Sequence, residues 1–335
     1  MTNMTRRNLF ASAAAASAAT ALTPLIYSAA RAAAPPVGKQ NPSWYRFKMG
    51  DFEITSVTDG VTVTPLADAY VRNAPKTEVS AELAAMHLPP DKATNWYNPI
   101  VVNTGSKLVA IDSGGGHLAA QQTKGTLGQF STNLAAAGID KDKIDVMILS
   151  HMHGDHINGL LDAENKLVFP NAEVMLPDVD VKFWMDASNA SRFPTPVQGQ
   201  FANVKRVLGA LSAAKAKITH YEGTKELVPG ITSMHTPGHT PGHSSFTISS
   251  GSAHVIHQVD VTAGNGVLFA RKPNWFFLFD VDGPLAEQTR RKFYDMVIAD
   301  KVRILGYHFP FPAVGFIEKS GDAYRWVPDT WNPVI

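Results

Sequence analysis

The chain of 335 residues contains no cysteine. Disulfide bonds, thiolate metal ligands and a cysteine nucleophile are therefore excluded. An excess of charge of one sign is also lacking, because 30 lysines and arginines balance 29 aspartates and glutamates. The net charge of +1 gives no indication of nucleic-acid binding. The composition, with 44% hydrophobic and 18% charged residues, is that of a globular protein with a large core.

The N-terminal segment resembles a targeting sequence. Arg6 and Arg7 stand in a twin-arginine pattern, and a mildly apolar, alanine-rich stretch follows them up to about Ile26. Small residues at positions 30–34 offer cleavage sites. The stretch contains serine, threonine and proline and is less apolar than a membrane span. An export signal is predicted, with an uncleaved N-terminal anchor as the alternative.

These features predict the organisation of the chain. Residues 1–34 are expected to be a cleaved twin-arginine signal peptide, and residues 35–43, rich in proline and polar residues, a linker. Residues 44–335 would form one domain without an integral membrane span, located in the periplasm or secreted by the twin-arginine route.

A group of metal-binding side chains lies near the middle of the chain. His151, His153, Asp155 and His156 follow directly after the apolar run 146–149. Imidazole and carboxylate groups bind first-row metals, and burying four of them unpaired would be costly. A His-x-His pair projects both side chains to one side of an extended segment. The pattern predicts a metal-binding loop at a strand end, with a histidine-rich surface loop as the alternative.

The order His-x-His-x-Asp-His after an apolar strand resembles the signature of the metallo-β-lactamase superfamily. A second motif, residues 236–243, places His239 at the position of a superfamily metal ligand and His243 at that of a hydrogen-bonding histidine. Asp260 matches the aspartate that bridges two ions, although Val259 replaces the usual preceding glycine. His308 matches the last histidine ligand.

The resemblance implies a dinuclear metal site. One ion would be bound by His151, His153 and His239, the other by Asp155, His156 and His308, and Asp260 would be shared. Zinc is the expected metal, with manganese, iron or cobalt as alternatives. The remaining histidines are expected to lie outside this site: His87, His117, His220, His235, His254 and His257.

One further carboxylate has two interpretations. Asp112 follows the predicted strand 108–111 and precedes three glycines. The resemblance implies that Asp112 hydrogen-bonds near the metals, where it would orient a ligand. The alternative is an aspartate that caps the next helix.

Strand patterns followed by helices occur in both halves of the chain. Residues 44–49 and 52–58 alternate as in a β-hairpin, and residues 283–300 show the clearest helical spacing. The resemblance implies an α/β fold, the metallo-β-lactamase αββα sandwich, in which two mixed β-sheets pack face to face with helices outside.

Several segments narrow the resemblance to one branch. Residues 45–60, 102–109 and 324–328 resemble methyl parathion hydrolases, and this branch also resembles N-acyl-homoserine lactonases. The implied protein is an exported hydrolase in which a metal-bridging hydroxide attacks a lactone or ester carbonyl or a phosphotriester. Asp155 would be both a ligand and the catalytic group that orients this nucleophile.

Other functions remain open at this point. The alternatives are a β-lactamase that hydrolyses amides, a non-hydrolytic iron oxidoreductase on the same fold, and a metal-binding module without turnover. The substrate is expected to be a small molecule. Relatives suggest a homodimer, for which residues 309–316 are a candidate interface.

Aromatic residues are candidates for the substrate pocket. Trp184 lies at the position of a pocket aromatic in methyl parathion hydrolases, and Phe201 is a second candidate. Residues 275–279 could form another wall. Core packing is the alternative for each of them.

Overall fold

The structure is a computed structural model that describes residues 43–335 together with residues 38, 40 and 41. The predicted signal peptide, residues 1–34, and most of the predicted linker lie outside the described residues. In the part of the chain that is described, no helix is long and apolar enough to cross a membrane.

Strands dominate the described chain, and helices connect them. The strands are β1 (Trp44–Met49), β2 (Phe52–Val57), β3 (Gly60–Pro65), β4 (Lys92–Tyr97), β5 (Ile100–Asn103), β6 (Leu108–Ile111), β7 (Val146–Ile148), β8 (Glu173–Pro177), β9 (Ile218–Tyr221), β10 (Glu226–Val228), β11 (Ile231–His235), β12 (Ser244–Ser250), β13 (Ala253–Val259), β14 (Ile304–Gly306), β15 (Val314–Ser320) and β16 (Ala323–Pro328). The α-helices are α1 (Lys76–Ala85), α2 (Gly116–Gln122), α3 (Phe130–Ala136), α4 (Gly154–Ile157), α5 (Asp178–Met185), α6 (Thr195–Ala213), α7 (Gly266–Arg271) and α8 (Gly283–Ala299).

The strands form two large sheets and one separate two-stranded sheet. The first sheet has the order β1-β2-β5-β6-β7-β8-β9, and the second runs from β10 to β16 in chain order. Both are mixed, because β6 to β9 are parallel in the first sheet and β13 and β14 are parallel in the second. Strands β3 and β4 form a two-stranded antiparallel sheet of their own.

The two large sheets pack face to face. In β7, Val146 and Ile148 point into the core between the sheets, and Met147 points to the opposite face. This alternation follows from the two-residue period of a strand. From the second sheet, Phe246 and Leu305 enter the same core.

Helices cover the outer face of each sheet. Leu134 of α3 and Val204 of α6 pack with Met147 on the first sheet. Phe293 of α8 packs against Ile304 on the second sheet. The predicted αββα arrangement, two mixed sheets face to face with helices outside, is therefore confirmed.

Some predicted elements differ in the structure. The apolar residues 167–169 predict a short strand, but in the structure they contribute an isolated bridge between Leu161 and Leu167. The spacing of residues 200–214 predicts a helix, which in the structure begins earlier, at Thr195. The β3–β4 pair and the β15–β16 hairpin had no sequence prediction. Short strands with mixed polarity lack the regular alternation on which such predictions depend.

The topology brings several strand ends to one edge. Strands β6 and β7 are parallel neighbours, as are β13 and β14, so their carboxyl ends meet at the same side of the two sheets. The residues that follow these strands include Asp112, His151, Asp260 and His308. Side chains that are far apart in sequence are therefore close together at this edge.

Candidate metal centre

Three imidazole rings meet at the end of β7. The Nε2 atom of His151 lies 3.1 Å from Nδ1 of His153, which lies 2.9 Å from Nε2 of His239. His151 and His153 come from the loop before α4, and His239 comes from the loop after β11. Their nitrogen atoms lie within 4.8 Å of one another, close enough to share one metal ion.

A second group lies beside the first. Oδ2 of Asp155 is 3.5 Å from Nε2 of His156 and 3.5 Å from Nε2 of His308. Asp260 stands between the two groups. Its Oδ2 atom is 3.2 Å from Nε2 of His239 and 3.1 Å from Nε2 of His308. The structure thus brings together all seven residues that the resemblance in sequence assigned to a metal site.

The arrangement fits divalent cations. Nε2 of His156 and Oδ1 of Asp260 are buried, lie 3.5 Å apart and have no hydrogen-bond partner among the described residues. Buried polar atoms without partners are costly, and a cation between them would satisfy both. Imidazole nitrogens and carboxylate oxygens are ligands of zinc and related ions. The two groups together suggest two divalent ions.

Burial favours neutral imidazole at two rings of the first group. Burial lowers the pKa of both His151 and His153 well below the usual value. An imidazole must be neutral to donate a lone pair to a metal. These two side chains are therefore in the form that binds a cation at neutral pH.

The carboxylates are ionised. Burial raises the pKa of Asp155, but His156 and His308 outweigh it and bring that pKa to about 2. Burial also raises the pKa of Asp260, but His308 and His156 outweigh it and lower that pKa well below the usual value. Burial lowers the pKa of His239, but hydrogen bonds with Asp260 and Asp280 raise it to about 9. The ionised carboxylates of Asp155 and Asp260 therefore stabilise positive charge at the cluster.

Hydrogen bonds outside the cluster orient its rings. Nδ1 of His156 lies 2.8 Å from Oδ2 of Asp112. Oδ1 of Asp112 accepts a hydrogen bond from the main-chain N–H of Ser150, and Oδ2 accepts one from the hydroxyl of Ser150. Asp112 does not cap α2, whose N-cap residue is Gly115 without a side-chain bond. The helix-capping interpretation of Asp112 is therefore wrong, and its carboxylate contacts a histidine of the cluster.

Two other ring partners had no sequence signal. Nδ1 of His308 donates to the main-chain oxygen of Trp96 at 2.7 Å. Nδ1 of His239 lies 2.8 Å from Oδ1 of Asp280. Asp280 follows an aromatic run that matches no motif, and a main-chain oxygen carries no residue identity. Sequence reasoning therefore missed both.

The remaining histidines lie outside the cluster. His243 contacts Thr236 through Nδ1, and its Nε2 accepts a 3.0 Å hydrogen bond from the main-chain N–H of Asp260. His243 therefore holds the backbone of Asp260 in place. None of the groups of possible metal ligands in the described chain includes the six histidines that were expected to lie outside.

A cleft of about 510 Å³ opens above the cluster. Its apolar lining residues include Leu118, Leu127, Phe277 and Phe279. The polar lining residues include Thr62, Asn95, Gln122, Gln200 and Asn203. Asp155 is 28% exposed at the floor. No lysine or arginine is among the described residues that line this cleft.

A model of the family described as the metallo-β-lactamase superfamily matches residues 97–305. The chain belongs to the metallo-β-lactamase superfamily. Its sequence-based identification as a metal-dependent hydrolase of this superfamily is thus confirmed. No curated protein sequence matches the chain.

Solved structures of the superfamily resemble this chain over most of its length. AidC, a dizinc quorum-quenching lactonase, is 27% identical with a TM-score of 0.78, over 87% of this chain and 98% of AidC. AbOPH, a hydrolase in the beta lactamase superfamily, is 27% identical with a TM-score of 0.76, over 88% and 100% of the two chains. A probable metal-dependent hydrolase from Staphylococcus aureus, 20% identical with a TM-score of 0.64 over 85% and 100%, shares the fold.

Val259 departs from the glycine expected in this superfamily, yet its backbone is in the region that glycine favours. Its φ is 51°, and its side chain is fully buried. A β-branched residue rarely adopts a positive φ, so the backbone is strained immediately before Asp260. The hydrogen bond from Asp260 to His243 helps to hold this conformation.

The predicted pocket aromatics are not in the cleft. Trp184 is 1% exposed, and its Nε1–H donates to the buried Asp180. Its ring lies 5.3 Å from that of His153, and the ring of Phe201 lies 4.7 Å from that of Trp184; neither residue is among those that line the cleft. The prediction that Trp184 and Phe201 line the substrate pocket is wrong, because both belong to the helix-covered core.

The aromatic run 275–279 divides between core and cleft. Phe277 and Phe279 line the cleft, whereas Trp275 is 5% exposed and packs in the core around α1 and α7. Two residues of the predicted second wall, Phe277 and Phe279, therefore line the cleft.

Proposed function

We propose that this protein is a dinuclear metal-dependent hydrolase of uncharged lactones or esters that carry an apolar chain. The observation that carries this proposal is the cleft above the histidine–aspartate cluster, whose described lining includes large apolar side chains and no lysine or arginine. AidC, at 27% identity, was solved with the product N-hexanoyl-L-homoserine and supports a lactone substrate.

The ligand assignment follows the two groups of side chains. His151, His153 and His239 would hold one ion. The other ion would be held by Asp155, His156 and His308, with Asp260 contacting both. We propose zinc for both positions, since this donor set suits it. Bound there, the two ions would supply Lewis acidity and lower the pKa of a water molecule.

Asp155 is the catalytic group of the chain itself. It is ionised at neutral pH and is partly exposed to the cleft, so one carboxylate oxygen can accept a hydrogen bond from a nucleophilic water. The main-chain oxygen of Asp155 accepts a 2.6 Å bond from Tyr307, which limits movement of the residue. Asp155 would therefore orient the nucleophile toward a carbonyl bound in the cleft.

Charge at the cleft favours neutral substrates. β-Lactams carry a carboxylate, and binding it would call for a cationic partner. The nearby Arg206 donates instead to the side-chain oxygens of Asn158 and Asn203. An uncharged lactone or ester needs no such partner, so the cleft suits it better than a β-lactam.

The decisive experiment measures kcat/KM of the zinc-loaded protein on N-acyl-homoserine lactones, methyl parathion and a β-lactam. We expect the lactones to be preferred by at least about 100-fold, a difference of roughly 3 kcal/mol in transition-state binding. His151→Ala is the control. Preference for methyl parathion would make the protein a phosphotriesterase. Turnover no higher than that of His151→Ala on all three would overturn the proposal.

We also propose that residues 1–34 direct export of the protein. Arg6 and Arg7 in the twin-arginine pattern support this. Expression of the full chain and of Arg6→Lys/Arg7→Lys tests it, with N-terminal sequencing of the exported protein. Export of both forms at the same level would contradict the proposal.

A further inference from the structure

We infer that Asp280, anchored by the buried Arg290, is a positioning residue that sets the orientation of His239 and connects this ligand to the wall of the cleft. The inference rests on the proposed function in one respect, namely that His239 binds a metal ion. No sequence motif pointed to Asp280 or Arg290.

The carboxylate of Asp280 meets the ring of His239 on the side away from the cluster. Oδ1 lies 2.8 Å from Nδ1 of His239, and both side chains are buried. An acceptor at Nδ1 keeps the proton on that nitrogen and leaves the lone pair of Nε2 for a metal. Nε2 is the atom that faces His153 and Asp260.

Each oxygen of Asp280 has its own donor. Oδ1 serves His239, while Oδ2 accepts a 2.9 Å hydrogen bond from the main-chain N–H of Phe277. Asparagine has one acceptor oxygen and could satisfy only one of these donors. The carboxylate is therefore needed for its two acceptors as well as for its charge.

Arg290 of α8 holds Asp280 from behind. Its guanidinium is 1% exposed, and Nη2 lies 3.8 Å from Oδ2 of Asp280. The other nitrogens donate to the main-chain oxygens of Val261, Pro273 and Trp275. These bonds fix the position of the guanidinium, and they connect α8 to the chain that precedes the cleft wall.

The main chain around Asp280 is attached to the loop of His239. The N–H of Val281 donates to the oxygen of His239, and the N–H of Asp282 donates to the oxygen of Gly238, both at 2.9 Å. A Cβ atom at Gly238 would lie 2.3 Å from the main-chain nitrogen of Ala286. The loop and the first turn of α8 are thus packed too closely to move independently.

The same segment supplies the apolar wall of the cleft. Phe277 and Phe279 precede Asp280 by three residues and one residue, and both line the cleft. The ring of Phe279 lies 6.1 Å from that of His153. Displacement of residues 277–280 would therefore move the wall and release the ring of His239 together.

The test compares Asp280→Asn with Asp282→Ala. Asp282 is a carboxylate on the same segment, but it is exposed and caps α8 through the N–H of Leu285. Zinc affinity is measured by competition with a chromophoric chelator, after circular dichroism has shown that each variant is folded. We expect Asp280→Asn to weaken binding of one of two zinc ions by 10- to 100-fold, roughly the effect of losing such a partner elsewhere. Asp282→Ala should keep the wild-type affinity.

A second measurement does not depend on zinc. Long-range ¹H–¹⁵N spectra of the histidine rings report which nitrogen of His239 carries the proton. Recorded above pH 9, where the ring of His239 is neutral, the spectra of wild type should show the Nδ1–H form, and those of Asp280→Asn should show a mixture or the Nε2–H form. Unchanged spectra and a zinc affinity within twofold of wild type would overturn the inference. Failure of wild type to bind zinc would instead overturn the proposed function, and the ring spectra would still decide the role of Asp280.

Discussion

The hydroxyl of Tyr307 donates a 2.6 Å hydrogen bond to the main-chain oxygen of Asp155. Its ring stacks on that of His156 with 4.1 Å between the centroids. Tyr307 directly precedes His308 and follows β14 of the second sheet. Asp155 and His156 lie in α4, which follows β7 of the first sheet. One buried side chain therefore joins the parts of the proposed second metal position that come from different sheets.

Replacing Tyr307 with phenylalanine should weaken that position. The main-chain oxygen of Asp155 would lose its buried partner, which costs about 1–3 kcal/mol. We expect the affinity for the second zinc ion to fall roughly tenfold, with little change at the first. A zinc titration by calorimetry measures both steps. Tyr294→Phe, whose hydroxyl meets Thr262 instead, is the control. Equal weakening of both ions would contradict the prediction.

Removal of metal should destabilise the fold. The cluster buries His153, His156 and Asp260 without enough protein partners for their polar atoms. Zinc at a concentration 100 times its dissociation constant would raise the free energy of unfolding by about 2.7 kcal/mol per site. A chelator should therefore lower Tm by several degrees in calorimetry, and added zinc should restore it. His151→Ala should show a smaller chelator effect, and an unchanged Tm in wild type would count against a metal site.

The apolar wall should select substrates by chain length. Phe279→Ala removes a large ring from the cleft, a loss of about 1.5–3 kcal/mol of apolar contact for a chain that packs on it. We expect KM for long-chain lactones to rise roughly tenfold or more, with a smaller change for short chains. Phe201→Leu is the matched control, because Phe201 packs with Trp184 in the core. A shift in chain preference for Phe201→Leu alone would contradict the assignment of the wall.

Stability should fall in acid partly because of His257. Burial lowers the pKa of His257 to about 4, and Nε2 has no partner among the described residues. The unfolded chain takes up this proton near pH 6.5, before the folded chain does. The stabilisation that comes from burying neutral His257 is therefore complete above pH 6.5. It is lost as the pH falls toward 4, and the total loss of unfolding free energy is about 3 kcal/mol.

His257→Gln tests this directly. The fall in unfolding free energy from pH 7 to pH 5 should be smaller in the variant by about 2 kcal/mol. Chemical denaturation at each pH measures it, and the comparison cancels contributions from the metal ligands. His254→Gln, an exposed position on the same strand, should match wild type. Equal pH dependence in His257→Gln and wild type would show that His257 is not the cause.

Much of the fold and the ligand cluster could be predicted from local sequence. His151, His153, Asp155 and His156 are covalent neighbours after one apolar strand, so their proximity needs no tertiary information. Hairpins such as β1–β2 were predictable for the same reason. The order of the later motifs then implied a family, and the family implied the sandwich.

The walls of the cleft could not be predicted in this way. Trp184 and Phe201 have the apolar character of a pocket residue, but they equally suit the core in which they lie. Nothing in composition separates an aromatic at the cleft, such as Phe279, from one packed behind it. The choice depends on where the helices settle on the first sheet.

The sequence by itself determined the chemistry of the centre, because histidine and aspartate in fixed order after strands are identifiable by type and spacing. Tertiary structure alone decided which groups orient those ligands and which side chains meet a substrate. Asp280 and His239 are 41 residues apart, and Tyr307 and Asp155 are 152 apart. Such pairs form only when distant segments pack together, and that packing reflects the summed burial of the whole core rather than any local pattern.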